Sequence, residues 1–234
     1  MHTFHCVPDG DRYTCECPPE SQIVGNKCVS MEASTSSGDE GALQPVTERP
    51  DTNAPVSFDG RSYFSYPNTA TQVKKAQMTN VITLRFRTQQ QSGLMLYNSI
   101  NQANGDFIAV AVVDGSVEFG YNLGSGVRRI RTLGAVSDDR WHTVTISRAQ
   151  REGSIQVDDE APSLATSKPG ASFLNTDGIM WIGGHSNLQS NVPFDFRRSF
   201  VGCIADVELE ENSLHLYDDA REERPSAFCG YPDA

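Results

Sequence analysis

From residue 54 onward, apolar and polar positions alternate in short runs of period two, and no stretch shows a convincing 3.6-residue amphipathic period. Val81-Ile82-Thr83-Leu84-Arg85-Phe86-Arg87 alternates cleanly, as does Gly93-Leu94-Met95-Leu96-Tyr97. Further strands are predicted over Phe107–Val113, Ser116–Tyr121, Val127–Thr132, Trp141–Arg148, Ser154–Val157, Ile179–Ile182 and Phe200–Leu209. Turn signals separate them: Gln91-Ser92-Gly93, Asp114-Gly115, Gly124-Ser125-Gly126, Lys168-Pro169-Gly170 and Gly183-Gly184. Many short strands joined by tight turns predict an all-β domain, an antiparallel β-sandwich, over 54–234.

One hairpin is legible in register. Asp114-Gly115 suits a type I′ turn, because both central positions need positive φ. Val113 then pairs with Ser116, and Ile108, Val110 and Val112 face Tyr121, Phe119 and Val117 as one apolar surface. The other surface carries Ala109, Ala111, Glu118 and Gly120 and is expected to be smaller and wetter; that contrast sets the register. The same pairing puts Asp106 across from Leu123 on the core-facing side, at the open end of the hairpin. A carboxylate buried there without a partner costs several kcal/mol, so Asp106 is expected at the sandwich rim, bound to something.

Upstream the pattern stops. Residues 1–29 hold Cys6, Cys15, Cys17 and Cys28 among Pro, Gly and charged residues, too little apolar material for a core. Such a segment folds only if stapled by disulfides, which implies an oxidising compartment. Zinc is disfavoured because Cys15-Glu16-Cys17 is not a Cys-x-x-Cys knuckle. Residues 30–53 read as a flexible acidic Ser/Thr/Pro linker. Met1-His2-Thr3-Phe4 lacks the basic start and apolar run of a secretory signal, so the chain is expected to be a fragment of a larger secreted protein.

Net charge is −11, which argues against nucleic acid as a partner. Three basic and nine acidic residues fall in 1–53 and the remaining sixteen and twenty-one in 54–234, so the folded domain is only mildly acidic. No apolar run approaches the ~20 residues that cross a bilayer, so no membrane insertion is expected. Catalysis is not expected either. Gly-x-Ser-x-Gly and phosphate-binding Gly-rich loops are missing from the sequence, and nothing places two carboxylates across a cleft. His185 follows a strand into a Gly/Ser/Asn loop, and His142 lies in a strand beside Trp141.

The ordered set Gly105-Asp106-Phe107-Ile108-Ala109-Val110, Asp114-Gly115-Ser116-Val117-Glu118-Phe119, Tyr121-Asn122-Leu123-Gly124-Ser125-Gly126, Asp139-Arg140-Trp141-His142-Thr143-Val144, Gly153-Ser154-Ile155-Gln156-Val157-Asp158, Met180-Trp181-Ile182-Gly183-Gly184 and Phe200-Val201-Gly202-Cys203-Ile204 resembles the laminin G-like domains of laminins, neurexins, agrin and perlecan. The resemblance implies a jelly-roll sandwich preceded by part of an EGF-like repeat, in a secreted protein of the extracellular matrix or basement membrane. It implies disulfides Cys17–Cys28 and Cys203–Cys229, and leaves the pairing of Cys6 and Cys15 open.

The resemblance also implies a calcium site. Its ligands fall on the side chains of Asp106 and Asn175 and on the carbonyls of Leu123 and Phe173, with Asp177 as a substitute ligand if the loop shifts. Oxygen donors suit hard Ca²⁺, and one carboxylate among them favours weak binding, about 10⁻⁴ to 10⁻³ M. In the family such a site, flanked by basic residues, engages acidic glycan on glycosylated receptors such as α-dystroglycan. Arg128, Arg129, Arg131, Arg197 and Arg198 are the candidates here, with a solvated strand face as their plain alternative. Heparin and integrin binding, or a calcium-independent protein contact on another face, are further readings. Ser37-Gly38 in the acidic linker resembles a glycosaminoglycan attachment sequence of proteoglycans.

Overall fold

A computed structural model describes residues 54–223 apart from 101, 103 and 104, residues 228–229, and the backbone of four short strands within 5–30. The linker with Ser37, and Cys17, lie outside the described residues. Two compact units divide the chain at residues 47 and 48. In the first, β1 (His5–Asp9) pairs antiparallel with β2 (Arg12–Glu16), and β3 (Ser21–Val24) with β4 (Lys27–Ser30). The first ladder sets Cys6 opposite Cys15.

The second unit begins with β5 (Val56–Asp59), β6 (Phe64–Tyr66), β7 (Ala76–Gln77), β8 (Thr79–Arg87), β9 (Gly93–Ser99), β10 (Phe107–Val113), β11 (Ser116–Asn122) and β12 (Arg128–Arg131). It continues with β13 (Trp141–Ala149), β14 (Glu152–Val157), β15 (Ser163–Thr166), β16 (Leu174–Asn175), β17 (Met180–Ile182), β18 (Val201–Leu209), β19 (Asn212–Leu214) and β20 (Glu222–Glu223). Two four-residue helices, α1 (Asn68–Thr71) and α2 (Leu188–Asn191), and a 3₁₀ turn at Phe194–Phe196 interrupt them. The strands build a jelly-roll sandwich. One sheet runs β12-β11-β10-β9-β17-β6-β20; the other runs β15-β14-β13-β8-β18-β19, with β5 also on β18.

Period-two burial is plainest in β8 and β13, where every second residue turns inward. Between the sheets Phe58, Phe64, Phe86, Phe119, Tyr121 and Phe200 are almost wholly buried, each contributing about 1.5–3 kcal/mol of apolar transfer. The β10–β11 turn has Asp114 and Gly115 at φ +46° and +78°, and pairing runs from Val113↔Ser116 to Phe107↔Asn122, the register read from the sequence. Cys203 and Cys229 are disulfide-bonded with Cα atoms 6.2 Å apart, tying the C-terminal segment to β18.

One expectation is corrected. The face of the β10–β11 hairpin expected to be wetter is buried: Ala109 and Ala111 lie under Val192 and Phe196, beside Leu94, Tyr97 and Phe107. The segment between β17 and β18 folds back over this face. Gly120 marks the closest approach, since a Cβ there would stand 2.6 Å from the Phe196 ring. Glu118, also buried, faces Arg129 at 3.5 Å. Burial raises its carboxyl pKa, and the charges of Arg129 and Arg131 oppose the rise.

Candidate functional site

Asp106 stands one residue before β10 at the open end of the hairpin. Across the rim, β16 pairs with β7, setting Asn175 opposite Ala76. This ribbon carries Asn175 onto Asp106, whose Oδ2 accepts the Asn175 backbone N–H at 3.0 Å and its side-chain amide N–H at 2.9 Å. The two residues are 69 apart in sequence. Leu123 follows β11 and is buried, while Phe173, two residues before Asn175, is 46% exposed.

Asn122 shapes the loop that presents the Leu123 carbonyl. Its Oδ1 accepts N–H groups from Gly124 and Gly126, each at 3.0 Å, and its Nδ2 donates to the Gly105 carbonyl at 3.1 Å. One side chain thus ties the residues flanking Asp106 and Leu123 together. Gly124 adopts φ +91°, and a Cβ there would lie 3.7 Å from the Asp106 carboxylate. The loop therefore stacks beside that carboxylate. Sequence reasoning missed Asn122, although an Asn starting a Gly-rich turn is a signal for this kind of clamp.

Asp177 is otherwise engaged. Its Oδ1 accepts the Ile179 N–H at 2.9 Å, and burial raises its pKa. No cluster of three or more His, Cys, Asp or Glu with metal-holding geometry occurs among the described residues. A cation at the rim would therefore rely on the mixed oxygen set around a single carboxylate.

The arginines divide. Arg128, opposite Tyr121, lies near the rim. Arg197 donates to the Val192 carbonyl at 2.7 Å and lines a 160 Å³ cleft with Gly105 and Asn122. The others point elsewhere. Arg129 pairs with Asp195 and Glu118 and lies 5.8 Å over Phe196. Arg131, three residues and about 10 Å farther from the rim than Arg128, donates to the carbonyls of Val113 and Asp114 at 2.7 and 3.1 Å. Arg198 is exposed, and its carbonyl accepts the Leu94 N–H at 2.7 Å, at the far end of β9. Two lysines outside the sequence reading adjoin the rim: the Lys75 carbonyl accepts the Thr176 N–H at 2.8 Å, and the Lys168 carbonyl accepts the Ser125 hydroxyl at 3.3 Å.

His185 and His142 have structural partners. His185 is buried against Trp181 and Tyr97, and its Nδ1 accepts the Asn187 N–H at 2.8 Å. His142 places Nδ1 and Nε2 at 2.7 and 3.0 Å from the carboxylates of Asp158 and Asp138. The His142 contact holds the Asp138 carboxyl below the usual carboxylate range.

Residues 86–215 match the Laminin G domain family, and the chain belongs to it, a family of extracellular binding modules. Among relatives, pikachurin of Rattus norvegicus is 31% identical over 98% of the chain, and the basement membrane proteoglycan of Caenorhabditis elegans is 30% identical over 90%. The chain spans 21% of the first and 6% of the second. The mouse laminin alpha1 chain, domains LG4-5, superposes with TM-score 0.67 at 21% identity, covering 75% of this chain and 46% of that one. The LG1-3 region of the laminin alpha2 chain gives 0.66 at 21% identity, with 88% and 38% covered. No helix among the described residues is long and apolar enough to cross a membrane.

Proposed function

We propose that the chain is an extracellular-matrix or cell-surface adhesion module. It binds Ca²⁺ at the rim and, through that ion, an acidic glycan or a glycosylated receptor such as α-dystroglycan. The observation that carries the reading is the meeting of Asp106 and Asn175 beside the Asn122-clamped loop. The donor set fits the ion: Asp106, the Asn175 amide and the carbonyls of Leu123 and Phe173 are hard oxygen ligands that leave positions for water or a sugar carboxylate. To hold the ion, Asn175 would have to present its amide oxygen in place of the N–H that meets Asp106 Oδ2. Arg128, Arg197, Lys75 and Lys168 give the rim a cationic surround for an acidic ligand, by charge that salt screens.

Calorimetry tests the ion and pull-down tests the ligand. Asp106→Ala abolishes calcium binding and leaves the fold intact, because the site lies at the rim. Capture of α-dystroglycan is lost together in chelator and in Asp106→Ala, and it weakens with added salt. Capture undiminished in excess chelator overturns the reading and points to a calcium-independent contact on another face. We also propose Ser37 as a glycosaminoglycan attachment site, tested by the mobility of Ser37→Ala after glycosaminoglycan-lyase treatment.

A further inference from the structure

The largest fully buried side chain of the domain is an arginine. Arg148, on β13, is 1% exposed. Its hydrogen-bonded acceptors are all neutral: Asn80 Oδ1 at 2.9 Å and the carbonyls of Gln150, Gln77, Ser172 and Met78 at 2.6, 3.0, 3.2 and 3.3 Å. A charge withdrawn from water is tolerated only when its hydrogen bonds are met, and the five-donor guanidinium fork suits convergent carbonyls. Burial lowers its pKa, opposed by the charges of Tyr121, Asp106 and Glu210 in that order.

The acceptors are not scattered. Gln77 lies in β7, opposite Leu174 of β16, and Met78 follows it. Ser172 adjoins Phe173 and stands three residues before Asn175. The ribbon's ladder, Leu174↔Gln77 and Asn175↔Ala76 extended by the Thr176 N–H bond to the Lys75 carbonyl, is too short to hold itself in water. Arg148 bonds both of its sides at once.

We infer that Arg148 is the positioning residue of the rim site. It locks the β7–β16 ribbon so that Asn175 and the Phe173 carbonyl are held in place against Asp106. The inference rests on the calcium reading for its functional consequence, though not for the positioning itself. Two effects of Arg148 on a bound cation oppose each other. Its charge repels the ion, and its hydrogen bonds preorganise the ligands. Preorganisation dominates, because the repulsion acts toward a solvent-screened rim whereas the bonds set ligand geometry directly.

Arg148→Lys keeps the charge and most of the stem but loses the fork. The full chain is measured twice: by hydrogen exchange in chelator and by calcium calorimetry. The Leu174, Asn175 and Thr176 amides lose protection while those of β10 and β11 keep theirs, and calcium affinity falls about tenfold or more, as for supporting residues around metals. Asn80→Ala removes the acceptor of the guanidinium Nε together with the Asn80 Nδ2 bond to Gln77 Oε1. It gives the same pattern more weakly, exceeds Gln77→Ala, which removes only the second bond, and by that margin decides the matter if Arg148→Lys does not fold. Val117→Ala, far from the ribbon, lowers stability and moves neither readout. Unchanged exchange at Leu174–Thr176, or unchanged affinity in a chain that binds calcium, overturns the inference. If the unsubstituted chain binds no calcium, the calcium reading falls, and exchange alone decides whether Arg148 holds the ribbon.

Discussion

Asn175 makes two contacts with one carboxylate oxygen, and they respond differently to substitution. The backbone N–H bond survives any side chain, while the amide contact depends on the Asn. Asn175→Asp puts a second carboxylate beside Asp106, and ligand charge is a main lever on calcium affinity at oxygen sites. Calcium then binds about tenfold more tightly in calorimetry. Without the ion the two carboxylates repel, so the variant melts earlier than the parent in chelator and gains more from added calcium. Asp106 was legible because its place followed from counting along one hairpin. Asn175 was assigned only through family resemblance, since nothing near it announces a partner 69 residues away. Arg148 was missed although its phase was legible: it shares the inward parity of Val144 and Ile146, but nothing in the sequence names the acceptors that would let a guanidinium be buried there.

At the scale of elements, the β10–β11 hairpin shows how far a local pattern reaches. Its turn and inward face follow from Asp114-Gly115 and from Ile108, Val110 and Val112, all contained in one short stretch. Its outer face does not, because the covering residues Val192 and Phe196 arrive from the β17–β18 connection. Gly120 is the point where hairpin and cover meet. Gly120→Ala drives a methyl group into the Phe196 ring, and overpacking of this kind costs about 1–3 kcal/mol. Denaturant unfolding should register that loss, and hydrogen exchange should place it in Phe194–Phe196 ahead of β13 or β14. The Arg129 link to Asp195 and Glu118 loosens with it, because Asp195 belongs to the displaced turn. The short β7 and β16 escaped the sequence reading for a related reason: two-residue strands carry no alternation to detect.

For the whole molecule, stability against pH has an identifiable contributor in His185. Burial holds its pKa at about 4, below the ordinary 6.5. Below pH 6.5 the unfolded chain takes up a proton that the folded chain refuses, so this contribution is present in full above 6.5. It is lost as pH falls toward about 4. A displacement of that size corresponds to about 3 kcal/mol. Urea unfolding at stepped pH, compared with His185→Gln, isolates the effect: between pH 6.5 and 4 the parent loses stability more steeply than the variant. Parallel curves would assign the parent's acid sensitivity to its carboxylates.

The sequence by itself determined the strand-rich class, the inward faces of β8, β10, β11 and β13, and the hairpin register that brings Asp106 opposite Leu123. Those features depend on neighbouring residues, through side-chain alternation and turn φ values. Only the tertiary structure decided which connection covers the hairpin's second face and which arginines reach the rim. It likewise decided that a buried guanidinium bridges the two sides of the β7–β16 ribbon. These outcomes depend on contacts between segments far apart in the chain, where the free energy of burying a face or satisfying a carbonyl belongs to no local pattern.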